Sequence, residues 1–399
     1  MHSIHRRTAA VIGAFASLAV TTAACTATDD LEGDSSSLQS AVEAAHEEGG
    51  FVSVSAEVRD GEHYDSAGAG VADVITDEPV PEEGHFRAGS VTKTFIATLL
   101  LQLEAEGEVA IDDSVERWLP GLISGNGYDG SAITLRNLLQ HTSGLPNYST
   151  VKDFDMTATA FENERWTHYD PEDLVAIALA EEPLFPPAGP DEPEPTWAYS
   201  NTNYVVAGMV IEEVTGNDWR QELQERILDP LGMEDTFAPG DDPRVPEPHA
   251  KTYKKFPEDR STWVDTTVRN PSSLDAAAEL ITTKRDLDTF MTALLGGELL
   301  PDEQLEKMQQ TVPVDDAMQQ MMPGAEYGLS LLRQPLSCGG EQWDLGGQVV
   351  GGDTLVAQTA DGGKGVVVSA TGMAGPEEIM QGGQALQHLV DQALCGQEQ

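Results

Sequence analysis

Phe86-Arg-Ala-Gly-Ser90-Val-Thr-Lys93-Thr-Phe-Ile-Ala-Thr-Leu-Leu-Leu101 sets a serine three residues ahead of a lysine where an almost wholly apolar run begins. That spacing puts Ser90 and Lys93 on one face of a helix. A serine hydroxyl is a weak nucleophile at neutral pH and needs a neighbour to take its proton. A lysine desolvated among apolar side chains has a lowered pKa suited to that task. The pair therefore reads as nucleophile and base. The start of the helix adds unpaired backbone N–H groups and a partial positive charge, which suit a developing oxyanion.

The same S-x-x-K pattern recurs at Ser149-Thr-Val-Lys152. That copy follows Pro146 and Asn147 and leads into polar, acidic sequence, so it reads as a coincidental loop, whereas the first copy opens a buried helix.

The 399 residues are 40% hydrophobic, ample for a sizeable core in one large domain or two. With 68 acidic against 22 basic residues the formal charge is -46, which argues against electrostatically driven binding to nucleic acid or to an anionic membrane. Such acidity fits a salt-tolerant or extracellular setting, with lineage bias in composition as the plainer alternative.

Residues 1–25 read as a signal peptide: Arg6-Arg7, an Ala-rich apolar run from Thr8 to Val20, then small residues up to Cys25. The run is too short to span a bilayer. Thr22-Ala-Ala-Cys25 resembles a bacterial lipoprotein box, although Thr22 stands where leucine is usual. The expectation is export to the cell envelope with Cys25 lipidated, and plain secretion is the alternative. A lipid anchor would be the sole membrane contact. Residues 26–37 are acidic and Ser-rich and read as a flexible linker. Of the three cysteines, Cys338 and Cys395 then remain as a candidate disulfide in an oxidising compartment, against the alternative of two buried thiols.

From Leu38 on, the pattern predicts a helix to Glu48, a strand over Phe51–Val58 with a hairpin signal at Asp60-Gly61, and the Ser90 helix, stopped at Gly107. Residues 109–270 change to helices and long Pro-rich loops. The last third predicts a helix over Lys284–Leu295, strands at Gln348–Val350, Leu355–Thr359 and Gly365–Thr371, and a closing helix over Glu377–Leu394. Strands near both ends with helices between them predict one α/β unit, about 38–108 plus 271–395, into which a helical part, about 109–270, is inserted. Histidines are scattered without ligand spacing, so neither a metal nor another cofactor is expected.

A second constellation follows the rigid acidic loop Pro187–Pro195: Thr196-Trp-Ala-Tyr199-Ser200-Asn201-Thr-Asn-Tyr204. Tyrosine can share proton transfer with a lysine, and asparagine can donate to a substrate carbonyl while accepting from that lysine. By itself the stretch is equally a turn with packed aromatics. Taken with Ser90-Val-Thr-Lys93, His141-Thr-Ser-Gly144-Leu-Pro146, Pro230-Leu-Gly-Met233 and Tyr327-Gly-Leu329, the chain from about Leu38 to Cys395 resembles the penicillin-recognising serine hydrolases. These comprise D-alanyl-D-alanine carboxypeptidases, class C β-lactamases and related esterases. The resemblance implies a β-lactamase/transpeptidase-like fold, an antiparallel sheet flanked by helices with an inserted helical domain. It also implies acylation of Ser90, proton transfer by Lys93 and Tyr199, substrate orientation by Asn201, and a structural role for His141.

The family's third motif, a Lys-Thr-Gly or His-Thr-Gly triad on a strand, corresponds here to Leu345-Gly346-Gly347, followed by Gln348, which with Leu345, Gly346 and Gly347 would line the substrate. Leucine replaces a cation or imidazole, and losing a charge-assisted hydrogen bond costs roughly 1.5–3 kcal/mol. The resemblance places the oxyanion donors on the backbone N–H groups of Ser90 and Gln348, so acyl transfer is expected to persist while carboxylate recognition weakens. The expected activity is that of an exported D-alanyl-D-alanine carboxypeptidase or β-lactamase-like enzyme acting as a monomer on peptidoglycan stem peptides or β-lactams. An esterase or amidase of the same fold and a non-catalytic wall-binding lipoprotein are the alternatives.

Overall fold

The computed structural model describes residues 29–152, 154, 157–190, 192–372 and 376–396. Residues 1–25, expected above to be a signal peptide ending at Cys25, lie outside the described residues. Among these, one nine-stranded sheet dominates. Its strands are β1 (Ser53–Asp60), β2 (His63–Asp73), β3 (Glu78–Pro79), β4 (Val312–Pro313), β5 (Glu326–Tyr327), β6 (Leu332–Pro335), β7 (Glu341–Val349), β8 (Gly352–Thr359) and β9 (Lys364–Thr371). They lie in the order β4-β5-β6-β7-β8-β9-β1-β2-β3, and each neighbouring pair is antiparallel. The sheet closes where the two ends of the chain meet, with Ser53 opposite Thr371 and Asp60 opposite Lys364.

Six helices matter here: α1 (Asp29–Gly49), α2 (Thr92–Glu106), α3 (Leu135–Gln140), α4 (Thr202–Thr215), α5 (Lys284–Leu295) and α6 (Pro376–Cys395). The terminal helices α1 and α6 cover one face of the sheet, where Leu38, Val42, Leu386, Leu389 and Leu394 pack on Val54, Ala56, Val366 and Val368. The other face carries α5 and the inserted helices around the main core. In that core α2 buries Phe95, Ile96, Leu99, Leu100 and Leu101 completely, each worth about 1.5–3 kcal/mol relative to exposure. Phe95 stacks on Phe290 of α5 with ring centroids 3.6 Å apart. This all-round burial explains why the sequence has no amphipathic stripe there.

Several expectations need correction. Helix α1 begins at Asp29, so residues 29–37 are helical rather than a flexible linker. The third-motif strand runs Glu341–Val349 rather than starting at Gln348. Strands β4–β6 were not anticipated, being two to four residues long and without alternation. The segment 109–270 also holds a hairpin, Tyr253–Phe256 with Asp259–Asp265. Cys338 and Cys395 are bonded, tying the end of α6 to the loop before β7.

Candidate functional site

Ser90 sits on a single 3-10 turn, Gly89–Val91, that runs into α2. The turn is held from behind. Leu280 O accepts from Ala88 N–H at 2.8 Å, Leu280 N–H donates to Thr92 Oγ1 at 3.2 Å, and Thr92 Oγ1 donates to Gly89 O at 2.8 Å. From the first turn of α2, Lys93 reaches back to place its Nζ 2.9 Å from Ser90 Oγ.

The same Lys93 Nζ donates to Asn201 Oδ1 at 2.7 Å and to the Ala277 carbonyl at 2.8 Å. Asn201 is held in that orientation because its Nδ2 donates to Ser149 Oγ at 3.2 Å. Ser149 is fixed in turn through Asn147 Oδ1, which accepts from its hydroxyl at 3.0 Å and from the Asn201 N–H at 3.3 Å. Burial holds Lys93 well below the ordinary lysine range. A neutral amine has two N–H groups and one lone pair. Asn201 Oδ1 and Ala277 O can only accept, so they take both N–H groups and leave the lone pair facing the Ser90 hydroxyl. The arrangement can thus act as a general base toward Ser90.

Tyr199 donates to Ser90 Oγ at 2.6 Å. Burial first, and the neighbouring Tyr327 second, push its phenol well above the ordinary range, so it is a neutral proton donor at physiological pH. Its ring lies 4.9 Å from Lys93 Nζ and packs at 4.5 Å on His141. His141 is fully buried in the αL position that ends α3, with φ 61°. Its Nδ1 accepts from the Ser200 N–H at 3.2 Å and lies 3.0 Å from Asn203 Nδ2, which places its proton on Nε2. Burial, then the Lys93 charge, hold it well below its usual value. A buried ring among Trp197, Tyr199, Tyr204 and Tyr327, held toward its neutral form, braces the cleft.

The opposite wall is β7. Gly347 lies backbone to backbone against the nucleophile turn: a Cβ there would fall 1.9 Å from Ala88 O and 3.2 Å from Ser90 N. Gly89, at φ +56°, is equally tight, since its Cβ would meet Gln348 N at 2.7 Å. The N–H-bearing backbones of Ser90 and Gln348 are therefore neighbours. Leu345 is 3% exposed and belongs to the main core, an apolar side chain on this wall. Gly346 is open, with nothing nearer to its Cβ position than Leu355 Cδ2 at 3.8 Å. Gln348 is exposed, and its Nε2 donates to Asp353 Oδ1 at 2.8 Å.

Ser90, Lys93, Tyr199 and Asn201 thus converge, with Gly347 and Gln348 alongside. Two contributors escaped the sequence reading. Ser149, dismissed with the second S-x-x-K copy, lies on a one-turn helix, Tyr148–Val151, capped by Asn147, and touches Asn201. Asn147, two residues before that copy, was the available signal. Its Lys152 points elsewhere, bonding Tyr169 and Glu164. Ala277 acts through its backbone, which leaves no mark in a sequence.

A family model described as Beta-lactamase matches residues 38–389. A D-stereospecific amidohydrolase from Streptomyces is 37% identical, covers 91% of this chain and 99% of its own, and superposes with a TM-score of 0.79. The D-amino acid amidase of Ochrobactrum anthropi SV3, solved with L-phenylalanine amide, is 26% identical over 89% of this chain and 99% of its own, with a TM-score of 0.72. Penicillin-binding protein 4 of Amycolatopsis lactamdurans is 27% identical over 61% of this chain and 59% of its own. The chain matches less than two thirds of the length of such penicillin-binding relatives.

Proposed function

Because the chain belongs to the β-lactamase family of serine hydrolases, we propose that it hydrolyses amides and esters, D-amino acid amides foremost, through an acyl-enzyme on Ser90. The observation that carries this choice is Leu345. Where the family resemblance expects a cation or imidazole for a terminal carboxylate, this wall presents a buried leucine, which suits substrates whose leaving side is uncharged. The similarity to the Streptomyces D-stereospecific amidohydrolase across nearly the whole of both chains supports the same reading.

In the proposed mechanism the Lys93 amine takes the Ser90 proton as Oγ attacks the substrate carbonyl carbon. The N–H groups of Ser90 and Gln348 receive the oxyanion, and Asn201 orients the acyl portion. As the C–N or C–O bond breaks, the Tyr199 hydroxyl passes its proton to the departing amine or alkoxide and regains one from the Lys93 ammonium. Water then attacks the ester carbonyl, giving up its proton through the same pair, and Ser90 is released. The leader and Cys25 support placement in the cell envelope, where peptides containing D-amino acids are within reach.

A D-alanyl-D-alanine carboxypeptidase or β-lactamase-like activity is the second reading, favoured by the penicillin-binding relatives. The test is intact mass and turnover of the protein and its Ser90→Ala variant with a D-amino acid amide, a short activated ester, a D-Ala-D-Ala peptide and a penicillin. Turnover of amide and ester that vanishes in the variant, with the carboxylate-ended peptide at least tenfold slower, supports the first reading. Preferential hydrolysis of the peptide, or a stable penicilloyl adduct without amide turnover, moves the protein to the second. Reaction with none of the four refutes both.

A further inference from the structure

Beyond the Ala277 carbonyl that Lys93 contacts stands an ionic cluster, its carboxylates buried, that the reaction itself does not use. Residues Asp275–Ala278 form one short helical turn, and its Ala277 carbonyl is a partner of Lys93 Nζ. Asp275 takes φ +40°, left-handed backbone that a residue with a Cβ adopts only under outside constraint. The constraint is visible. Arg220 donates through Nε to Glu279 Oε1 at 2.6 Å and through its terminal nitrogen to Glu279 Oε2 and Asp275 Oδ1, both at 2.9 Å. Trp219 Nε1 adds a bond to Asp275 Oδ1 at 3.2 Å. Asp275 is 3% exposed and Glu279 fully buried. One guanidinium thus grips the first residue of the helical turn and the residue just after it. The turn packs closely on α4, where a Cβ at Gly208 would lie 2.7 Å from Ala276 Cβ.

We propose that Arg220, with Asp275 and Glu279, is a positioning clamp for the reaction: it fixes the Ala277 carbonyl and so the direction of the Lys93 lone pair. The proposal rests on the reading of Lys93 as the base. A carbonyl that drifts lets the amine rotate and point an N–H instead of its lone pair at Ser90 Oγ. It also removes an acceptor that favours the ammonium, so the lysine becomes easier to deprotonate while becoming less well aimed. The other groups facing Nζ are Ser90, Tyr199, Tyr204, His141 and Asn201, none of which bonds to the clamp carboxylates.

Arg220→Ala and the milder Glu279→Gln, in the full chain, test this by the rate of acylation with an activated ester between pH 5 and pH 10. The expectation is a plateau lowered about 10- to 100-fold per folded molecule, an unchanged KM, and an acid limb displaced to lower pH. Glu279→Gln, which keeps the shape of the side chain and one acceptor oxygen, should fall between wild type and Arg220→Ala. Circular dichroism and active-site titration establish the folded fraction. A plateau and acid limb equal to wild type in folded Glu279→Gln and Arg220→Ala would overturn the clamp. If Arg220→Ala does not fold, Glu279→Gln alone decides by the same two readouts. Lys93→Met separates the premises: an acid limb that survives in it would show that the base reading is wrong, whatever the clamp variants do.

Discussion

Gly347→Ala is the substitution whose consequence the geometry fixes most tightly. The added methyl would fall 1.9 Å from Ala88 O and 3.2 Å from Ser90 N. Both neighbours are backbone, with no flexible side chain to swing aside, so β7 must separate from the nucleophile turn by more than an ångström. Overpacking of that kind costs about 1–3 kcal/mol of stability. Displacing one oxyanion donor costs about 2.7–4 kcal/mol of transition-state stabilisation, or 10²–10³ in rate. Gly346→Ala provides the control. Its methyl meets only Leu355 Cδ2 at 3.8 Å, ordinary contact, and Gly346 is exposed. The two variants add the same group to consecutive residues of one strand. Hydrolysis of an activated ester, normalised by thermal unfolding, should show Gly347→Ala down at least a hundredfold and Gly346→Ala within about threefold. Comparable rates for the two variants would refute both the close approach and the placement of the oxyanion donors on Ser90 and Gln348.

Three further outcomes follow from individual side chains. Asp344, buried beside Gln334 at 2.5 Å, has its carboxyl pushed by burial from 3.8 to about 7. The folded state therefore binds this proton more tightly than the unfolded chain, and stability falls as pH rises from about 4 to about 7, a loss on the order of 4 kcal/mol. Asp344→Asn should flatten that slope in melting temperature against pH, and an unchanged slope would remove Asp344 from the account. Ser149→Ala frees the Asn201 amide and should reduce kcat about three- to tenfold without unfolding the protein, with Ser149→Thr restoring most of it; equal kcat in Ser149→Ala and wild type would dismiss its orienting role. Cys395→Ser opens a loop with a sequence separation of 57 and should cost about 4 kcal/mol by the chain-entropy account, read from denaturant midpoints; a shift under 1 kcal/mol would mean that packing of α6 alone secures the C-terminus.

How much of this was legible beforehand depended on where the information resides. Lys284–Leu295 was found to the residue because its apolar positions repeat with helical period and Thr283 caps it. Strands β8 and β9 announced themselves as β-branched runs, whereas β4 to β6 are too short for any pattern to develop. Ser90, Lys93, Tyr199 and Asn201 are side-chain chemistry at recognisable spacing. Ala277 is a backbone carbonyl, so any residue would supply it. What the sequence does carry is the apparatus holding that carbonyl: Asp218-Trp219-Arg220 and Asp275-Ala-Ala-Ala-Glu279, some 55 positions apart, each unremarkable alone.

The third wall shows the same division from the other side. Leu345 stands out in the sequence because it departs from a family pattern, and its burial turns that departure into a statement about substrate charge. Gly347 stands out for the opposite reason. Its neighbour Gly346 has room for a side chain and Gly347 has none, yet the two letters are identical. Only the 1.9 Å approach to Ala88 O distinguishes the glycine that replaces a side chain from the glycine that lets the strand reach the nucleophile. A catalytic requirement that consists of an absent Cβ is therefore invisible until both backbones are placed. On the proposed function Leu345 would tune which substrate binds, whereas Gly347 would bear on whether the oxyanion donors meet at all. Substitution at 345 should accordingly change the ranking of substrates, and substitution at 347 should lower all of them together.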